Sequence, residues 1–295
     1  MKSCTSSVPG TCGELFQGSL DGIPCLVSCP VDRMARLRIT EIPSGGVVCP
    51  PDMSKTKRAL ELALEAEPRR GKSLLVERLN ALPEGKGYAS STADILAAVS
   101  GLAALSGEPF DPERATRTAL AVEPTDSIAW PGLALLGHRD GRFMEFLGPP
   151  PPMSVYILDW GGTVDTGEFN RKDMRDVLSA MAPLHREAFA LVKAGVEQGD
   201  PGLVGKGASL SAGAWTGIME KPHLDECFRL CARLDGYGVC IAHSGTLYGV
   251  LLPGGGMTVE EEIVRQAGEV LSPGWEGRLQ SVVCGGPRVE ERNDG

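Results

Sequence analysis

Residues 83–93 read PEGKGYASSTA and lead directly into a long apolar stretch. Gly85 and Gly87 have no Cβ, so the backbone can turn sharply here and a ligand can approach it closely. Residues 90–92 carry hydroxyls that suit a helix N-cap, and the run rich in Ala, Leu, Ile and Val that follows predicts a buried helix over Thr92–Leu105. The segment is therefore predicted to be a glycine loop that opens a core helix.

A loop of this kind is suited to binding phosphate. The first N–H groups of a helix have no partner within the helix, and the helix dipole makes this end positive. Lys86 would add a mobile cation, and the hydroxyls of residues 90–92 could reach a metal ion bound to phosphate. A loop that only caps a core helix has the same appearance, because a glycine loop before a helix is a moderately specific signal. The segment alone leaves both interpretations open.

Composition limits the classes of protein. The chain has 295 residues, 42% of them hydrophobic, which is enough for a substantial core in one large domain or in two lobes. Its net charge of -9 argues against nucleic acid as a partner, because the phosphate backbone requires a basic surface. Aromatic residues make up only 5%, which also disfavours surfaces that stack on bases.

The sequence also predicts a cytoplasmic location without a membrane segment. No run of about 18 apolar residues is present, and the first residues, MKSCTSSVPGTC, lack the apolar centre of a signal peptide. The nine cysteines are an odd number scattered along the chain, which suits a reducing compartment better than a disulfide framework. None of the four histidines has the spacing of a zinc motif. Oligomeric state is left open.

Strands and helices alternate without a repeat, which predicts an α+β fold in two lobes, with the proline run Pro149–Pro152 as the boundary. The predicted domains are residues 1–150 and 151–295. Predicted strands are Cys25–Pro30, Ala35–Ile42, Ser73–Leu79, Leu133–Gly137, Phe143–Leu147, Ser154–Trp160, Gly238–Ser244 paired with Thr246–Leu252, and Leu279–Cys284. Predicted helices are Lys55–Glu67, Thr92–Leu105, Glu113–Val122, one or two within Arg171–Gln198, Pro201–Gly213, His223–Leu234 and Val259–Leu271.

Four further polar segments adjoin apolar elements: Pro9–Gly18, Glu123–Ser127, Asp159–Arg171 and Ala242–Thr246. Each has a structural explanation when taken alone, such as a helix end followed by a proline turn, a solvated connection or a simple hairpin. Four polar loops beside apolar elements, three of them containing glycine, are together typical of a cleft that holds two substrates.

The motifs resemble those of the GHMP kinases, the group of galactokinase, homoserine kinase and mevalonate kinase. Pro9–Gly18 is similar to their N-terminal motif, Pro83–Ala93 to their phosphate loop, and Gly238–Gly249 falls where their third motif is expected. The resemblance is most detailed to the L-threonine kinases of cobalamin biosynthesis, and it covers nearly the whole chain. It includes PGTCGELFQG, CPVD at Cys29–Asp32, EPTD at Glu123–Asp126, DTGEFN at Asp165–Asn170 and AHSGT at Ala242–Thr246. One departure is Tyr88-Ala89, where the family usually has Leu-Gly.

The resemblance implies the two-lobed GHMP kinase fold, with an N-terminal lobe like ribosomal protein S5 and a C-terminal ferredoxin-like α/β lobe. It implies phosphoryl transfer from ATP, with Mg²⁺, to the side-chain hydroxyl of L-threonine. The same resemblance admits homoserine or serine as the alcohol. A non-catalytic protein that binds ATP or a metabolite on this scaffold is the alternative from another class.

The resemblance also implies roles for individual residues. Asp126 and Lys86 are the candidate catalytic residues, and Ser91 and Glu123 are the candidate metal ligands. ATP is expected to contact Pro83, Glu84, Gly85, Lys86, Gly87, Tyr88, Ala89, Ser90, Ser91 and Thr92. The alcohol is expected to contact Glu14, Asp165, Thr166, Asn170, Arg171, His243, Ser244, Gly245 and Thr246. Asp165 or Glu14 would bind its ammonium group, and Arg171, Asn170 or the backbone N–H groups of the 243–246 turn would bind its carboxylate.

Overall fold

The computed structural model describes residues 1–65, 71–163, 175–256 and 259–293. Two long strands, β1 (Ser3–Leu20) and β2 (Ile23–Ile42), form an antiparallel hairpin in which Leu20 pairs with Ile23. The two residues between them are Asp21 and Gly22, with φ of 49° and 75°. An Asp-Gly pair with both φ angles positive is typical of a tight hairpin turn.

The hairpin is the centre of one mixed sheet. The remaining strands are β3 (Val47–Val48), β4 (Ser73–Asn80), β5 (Leu133–Leu136), β6 (Met144–Gly148), β7 (Met153–Asp159), β8 (Gly238–Ile241), β9 (Tyr248–Pro253), β10 (Glu276–Ser281) and β11 (Arg288–Asn293). The main order is β10-β7-β9-β8-β1-β2-β4-β3, while β11 pairs with the start of β1, and β5 joins β2 to β6. Strand β1 therefore connects the first half of the chain to the second.

Helices cover the sheet. They are α1 (Ser54–Leu64), α2 (Ser90–Leu105), α3 (Pro112–Leu120), α4 (Arg175–Ala180), α5 (Ala182–Gln198), α6 (Pro201–Trp215), α7 (Leu224–Arg233) and α8 (Glu260–Val270). Helix α2 is apolar on nearly all sides and packs against β1 and β2, as expected of a helix in the centre of a core. No helix in the described ranges has both the length and the apolar character needed to cross a bilayer.

The mixed helix-and-sheet fold confirms the predicted fold class, and the apolar interior has two parts. One apolar cluster surrounds α2 and the β1–β2 hairpin and includes Val155 and Val192 from the second half of the chain. The other consists of residues between Tyr156 and Leu271. The division into residues 1–150 and 151–295 stays a prediction.

Several predicted elements need correction. The segment Pro9–Gly18 is not a loop but part of β1, and Gly10 and Gly13 lie where the pairing of β1 with β2 shifts register. Strand β8 ends at Ile241 instead of Ser244, and the last predicted strand lies earlier, at Glu276–Ser281. Strands β1, β3 and β11 were not predicted. The predicted helix start at Arg171 lies outside the described residues.

Candidate active site

The phosphate loop joins β4 to α2. Gly85 and Gly87 have φ of 70° and 111°, a conformation that glycine adopts without steric cost. Ala89, the N-cap of α2, has φ 56° and ψ 33° and makes no side-chain cap bond. This left-handed conformation costs a residue with a Cβ about 1–2 kcal/mol. Residue 89, where the family usually has glycine, thus has a backbone conformation that favours glycine although it is alanine in this chain.

Strand β1 holds the phosphate loop through hydrogen bonds. The backbone N–H of Thr11 donates to the Tyr88 carbonyl at 3.1 Å, and that of Gly13 donates to the Gly87 carbonyl at 3.1 Å. The Thr11 hydroxyl donates to the same Gly87 carbonyl at 2.8 Å. Because three hydrogen bonds fix two successive carbonyls, the conformation of the loop depends directly on β1.

The loop is held from the other side by the turn between β8 and β9. The Thr246 N–H donates to the Lys86 carbonyl at 2.8 Å. A Cβ on Gly87 would lie 2.2 Å from that of Ala242, and one on Gly245 would lie 2.2 Å from the Lys86 carbonyl oxygen. Only glycine allows this approach. The three motifs predicted from separate parts of the chain are therefore in direct contact.

Ser91 and Glu123 meet at the N-terminus of α2. The Ser91 hydroxyl donates to one carboxylate oxygen of Glu123, and the other oxygen lies 2.5 Å from the Lys55 ammonium. A hydroxyl and a carboxylate beside a phosphate loop fit Mg²⁺, which binds few protein oxygens together with phosphate and water. In the described ranges no group of three or more His, Cys, Asp or Glu residues is arranged to hold a metal ion. Binding of Mg²⁺ through phosphate does not require such a group.

Asp126 lies beside the first turn of α2. Its carboxylate accepts a hydrogen bond of 2.9 Å from the Thr92 hydroxyl, which also lies 3.0 Å from the Thr125 hydroxyl. Burial raises the pKa of Asp126 to about 7, with a further contribution from the Glu14 carboxylate. The pKa is therefore close to neutrality, which suits a group that accepts a proton during catalysis.

Glu14 faces the same pocket as Asp126. One of its carboxylate oxygens accepts hydrogen bonds from the His243 N–H at 3.0 Å and lies 2.7 Å from His243 Nδ1. The His243 side chain is fully buried, and its ring packs edge-on against Trp215 with centroids 4.5 Å apart. His243 thus orients Glu14 without lining the pocket itself, whereas Glu14 lines it.

The pocket brings together most of the predicted residues. It is lined by Glu14, Gln17, Leu26, Lys55, Gly85, Gly87, Tyr88, Ala89, Ser90, Ser91, Thr92, Glu123, Pro124, Thr125, Asp126, His138 and Ser244. His243, Gly245 and Thr246 lie outside this lining: His243 bonds to Glu14, and Gly245 and Thr246 contact the backbone of Lys86. Glu84 lines a neighbouring groove that also includes Arg78.

Other predicted residues lie elsewhere. The ammonium group of Lys86 pairs with the Asp159 carboxylate, and both residues, with Pro83, line a separate depression behind the loop. Asp165, Thr166, Asn170 and Arg171 lie outside the described residues. The expectation that these four contact the alcohol stays a prediction.

Sequence reasoning did not select Gln17, Lys55 or His138 as site residues. Burial lowers the pKa of His138 to about 3, so its imidazole is neutral and offers one donor and one acceptor. No local pattern marks His138 or Lys55. Gln17, by contrast, lies three residues after Glu14 within a motif that was noted, and it could have been found there.

Comparison with known proteins defines the class. Residues 54–129 match the family model for the GHMP kinases N terminal domain. The homoserine kinase of Cytophaga hutchinsonii ATCC 33406 superimposes with a TM-score of 0.74 over 98% of this chain and 97% of that one, at 16% identity. The superposition shows a shared fold. The family model and the curated relatives described next show that the chain belongs to the GHMP kinase family, so it is an enzyme of the phosphotransferase class.

The curated relatives are L-threonine kinases. The chain is 30% identical over 288 residues to the L-threonine kinase of Salmonella typhimurium strain LT2, covering 96% of this chain and 94% of the relative. It is also 30% identical over 248 residues to the L-threonine kinase of Citrobacter freundii, covering 83% of this chain and 84% of that relative.

Proposed function

We propose that this enzyme transfers the γ-phosphoryl group of ATP to the side-chain hydroxyl of L-threonine and releases O-phospho-L-threonine and ADP. The observation that carries the proposal is the pocket in which Asp126, Glu14 and the N-terminus of α2 face one another. The two curated relatives supply the name of the substrate. We also propose that the product is used in cobalamin synthesis. That part of the proposal rests on the motif resemblance alone.

In this proposal the phosphate loop and the first turn of α2 bind the phosphates of ATP through their N–H groups and the Ser90 and Ser91 hydroxyls. Glu123 and Ser91 would hold Mg²⁺, which neutralises charge on the phosphates when it is bound. Lys55, which lies beside Glu123, would provide further positive charge at the same end of the pocket. The role of Lys86 at the phosphates is retained as a prediction, although its ammonium pairs with Asp159.

Asp126 would accept the proton of the threonine hydroxyl as its oxygen forms a bond to the γ-phosphorus and the bond to the leaving ADP oxygen breaks. Its pKa of about 7 allows a substantial ionised fraction at neutral pH. Glu14 would bind the α-ammonium group of the amino acid. Leu26, an aliphatic residue of the pocket lining, would contact the methyl group that distinguishes threonine from serine. One methyl group contributes only about 1–3 kcal/mol of discrimination.

The test is ADP release from Mg-ATP with L-threonine, L-serine, L-homoserine and mevalonate, for the wild type and for Asp126→Asn. We expect turnover to be greatest with threonine and to fall about 10²–10⁴-fold in the variant, the contribution typical of a general base. Asp111→Asn is the matched control, because Asp111 caps α3 away from the pocket and asparagine caps a helix equally well.

Three outcomes would contradict parts of this proposal. If turnover is greater with homoserine or serine than with threonine, the proposed substrate is wrong. Threonine turnover that survives Asp126→Asn would remove the proton-accepting role and keep the reaction. Tight ATP binding without ADP release for any alcohol would favour a non-catalytic binding protein.

A further inference from the structure

A buried lysine lies beneath the turn between β8 and β9. Lys221, in the connection from α6 to α7, is only 8% exposed, and lysine is almost never buried without partners. Its ammonium donates to the Ala242 carbonyl at 2.6 Å and to the Gly245 carbonyl at 2.7 Å. The Ala242 carbonyl also accepts a longer hydrogen bond, of 3.3 Å, from the Gly245 N–H within the turn.

The turn is held on a second side by Trp215. The Trp215 Nε1–H donates to the His243 carbonyl at 3.1 Å. Three carbonyls of the turn are thus satisfied by two side chains from α6 and the connection that follows it. Hydrogen bonds from buried side chains to three carbonyls of one short turn restrict the conformations that the turn can adopt.

The same turn contacts two parts of the candidate active site, Glu14 and the phosphate loop. Ser244 lines the pocket, and the His243 N–H binds the Glu14 carboxylate. Thr246 and Leu247 both donate to the Lys86 carbonyl of the phosphate loop, at 2.8 and 3.2 Å. A displacement of the turn would therefore displace Glu14, Ser244 and the phosphate loop together.

We infer that Lys221 is a positioning residue for phosphoryl transfer: its ammonium fixes the 242–246 turn and, through that turn, the relative positions of the phosphate loop and Glu14. Lys221 acts without touching either substrate. Its effect on catalysis rests on the proposed function, whereas its effect on the geometry of the turn does not. The two are therefore measured separately.

The first measurement is amide hydrogen exchange of Lys221→Met, which keeps the length of the side chain and removes its charge and donors. We expect faster exchange in peptides that cover residues 84–90 and 242–248. Leu224→Ala is the matched control, because Leu224 is also buried and belongs to the second apolar cluster. It should lower stability without loosening those two peptides. Unchanged exchange in the lysine variant, or equal loosening in both variants, would overturn the inference.

The second measurement is kcat and KM for ATP and threonine, made well below the unfolding temperature of each variant. We expect kcat/KM to fall about 100-fold in Lys221→Met, because small displacements of positioned groups have effects of this size. It should be nearly unchanged in Leu224→Ala and in Lys206→Met, a control at an exposed lysine of α6. Lys221→Arg, which keeps the charge and the donors, should recover part of the loss.

The outcomes separate the two proposals. A wild type without turnover on any alcohol contradicts the proposed function, while hydrogen exchange still tests the turn. If the wild type is active and Lys221→Met has the same activity per folded molecule, Lys221 only stabilises the fold. That result would overturn the inference. If the Met variant does not fold, Lys221→Gln, which keeps one donor group, is measured in its place.

Discussion

Burial and the neighbouring Glu14 carboxylate raise the pKa of Asp126 to about 7, while the hydrogen bond from Thr92 acts in the opposite direction. An acid with a raised pKa is ionised only at higher pH. If the ionised form of Asp126 is required, kcat/KM should therefore rise with pH through about 7 and level off above it.

Glu14→Gln tests the cause of this pKa. Removing the negative charge of Glu14 makes the Asp126 carboxylate easier to ionise, so the rise in kcat/KM should move to lower pH even though the maximum activity also falls. The measurement is a pH profile of kcat/KM for both proteins, with Glu187→Gln, an exposed residue of α5, as the control. A rise that stays at the same pH in Glu14→Gln would mean that another group controls it.

At the level of elements, the start of α2 carries a conformation that its sequence does not favour. Ala89 is left-handed and provides no cap for the helix. Glycine has no Cβ to clash and is the better N-cap residue, so Ala89→Gly should stabilise the fold by about 1 kcal/mol despite its greater freedom when unfolded. Reversible denaturant unfolding measures this difference.

The control for Ala89→Gly lies in the same helix. Ala104 has ordinary helical surroundings near the end of α2, where glycine should destabilise by about 1 kcal/mol. The two Ala-to-Gly changes should therefore have opposite signs. A loss of stability in both would show that the left-handed conformation at residue 89 is not strained.

Helix α2 was predicted closely, whereas no part of β1 was predicted as a strand, and the reason is physical. Helix α2 is apolar throughout and follows a clear glycine and hydroxyl start, so local sequence is sufficient. Strand β1 is buried along nearly its whole length, so it lacks the alternation of polar and apolar residues that marks a half-exposed strand. The glycines and polar side chains of Pro9–Gly18 instead suggested a loop, while Thr5, Ser6 and Ser7 are polar although they are buried.

At the level of the whole molecule, the parts of the site that could be predicted were those with a motif. The phosphate loop, Asp126 and Glu14 were selected from the sequence and its resemblance to a family, and all three line the pocket. Lys221, Lys55 and His138 could not be selected, because their partners are distant in sequence and only the folded sheet brings them together. Lys86 was assigned to the phosphates from its place in the loop and from the resemblance. Its ammonium pairs with Asp159 in the structure, and the assignment stays a prediction.

Binding of Mg-ATP should stabilise the whole fold, since the pocket contains residues of β1, α1, α2 and the β8–β9 turn. A ligand at 100 times its Kd adds about 2.7 kcal/mol to the free energy of unfolding. We expect a rise in Tm with Mg-ATP that is much smaller with ATP and EDTA. The rise should also be smaller in Glu123→Gln than in Glu187→Gln. An equal shift with and without Mg²⁺ would contradict the assignment of Ser91 and Glu123 as metal ligands.

Strand β1 obtains its neighbours from widely separated parts of the chain. Residues 3–7 pair with residues 288–293, and Glu14 pairs with Ile241. A ribosome adds about 5–20 residues per second. The edge of β1 that pairs with β8 and β11 therefore stays unpaired for roughly 10–60 s after β1 has been synthesised. An uncovered strand edge is a template for aggregation. We therefore expect the nascent chain to need protection along β1, and the pocket to be among the last parts of the enzyme to form.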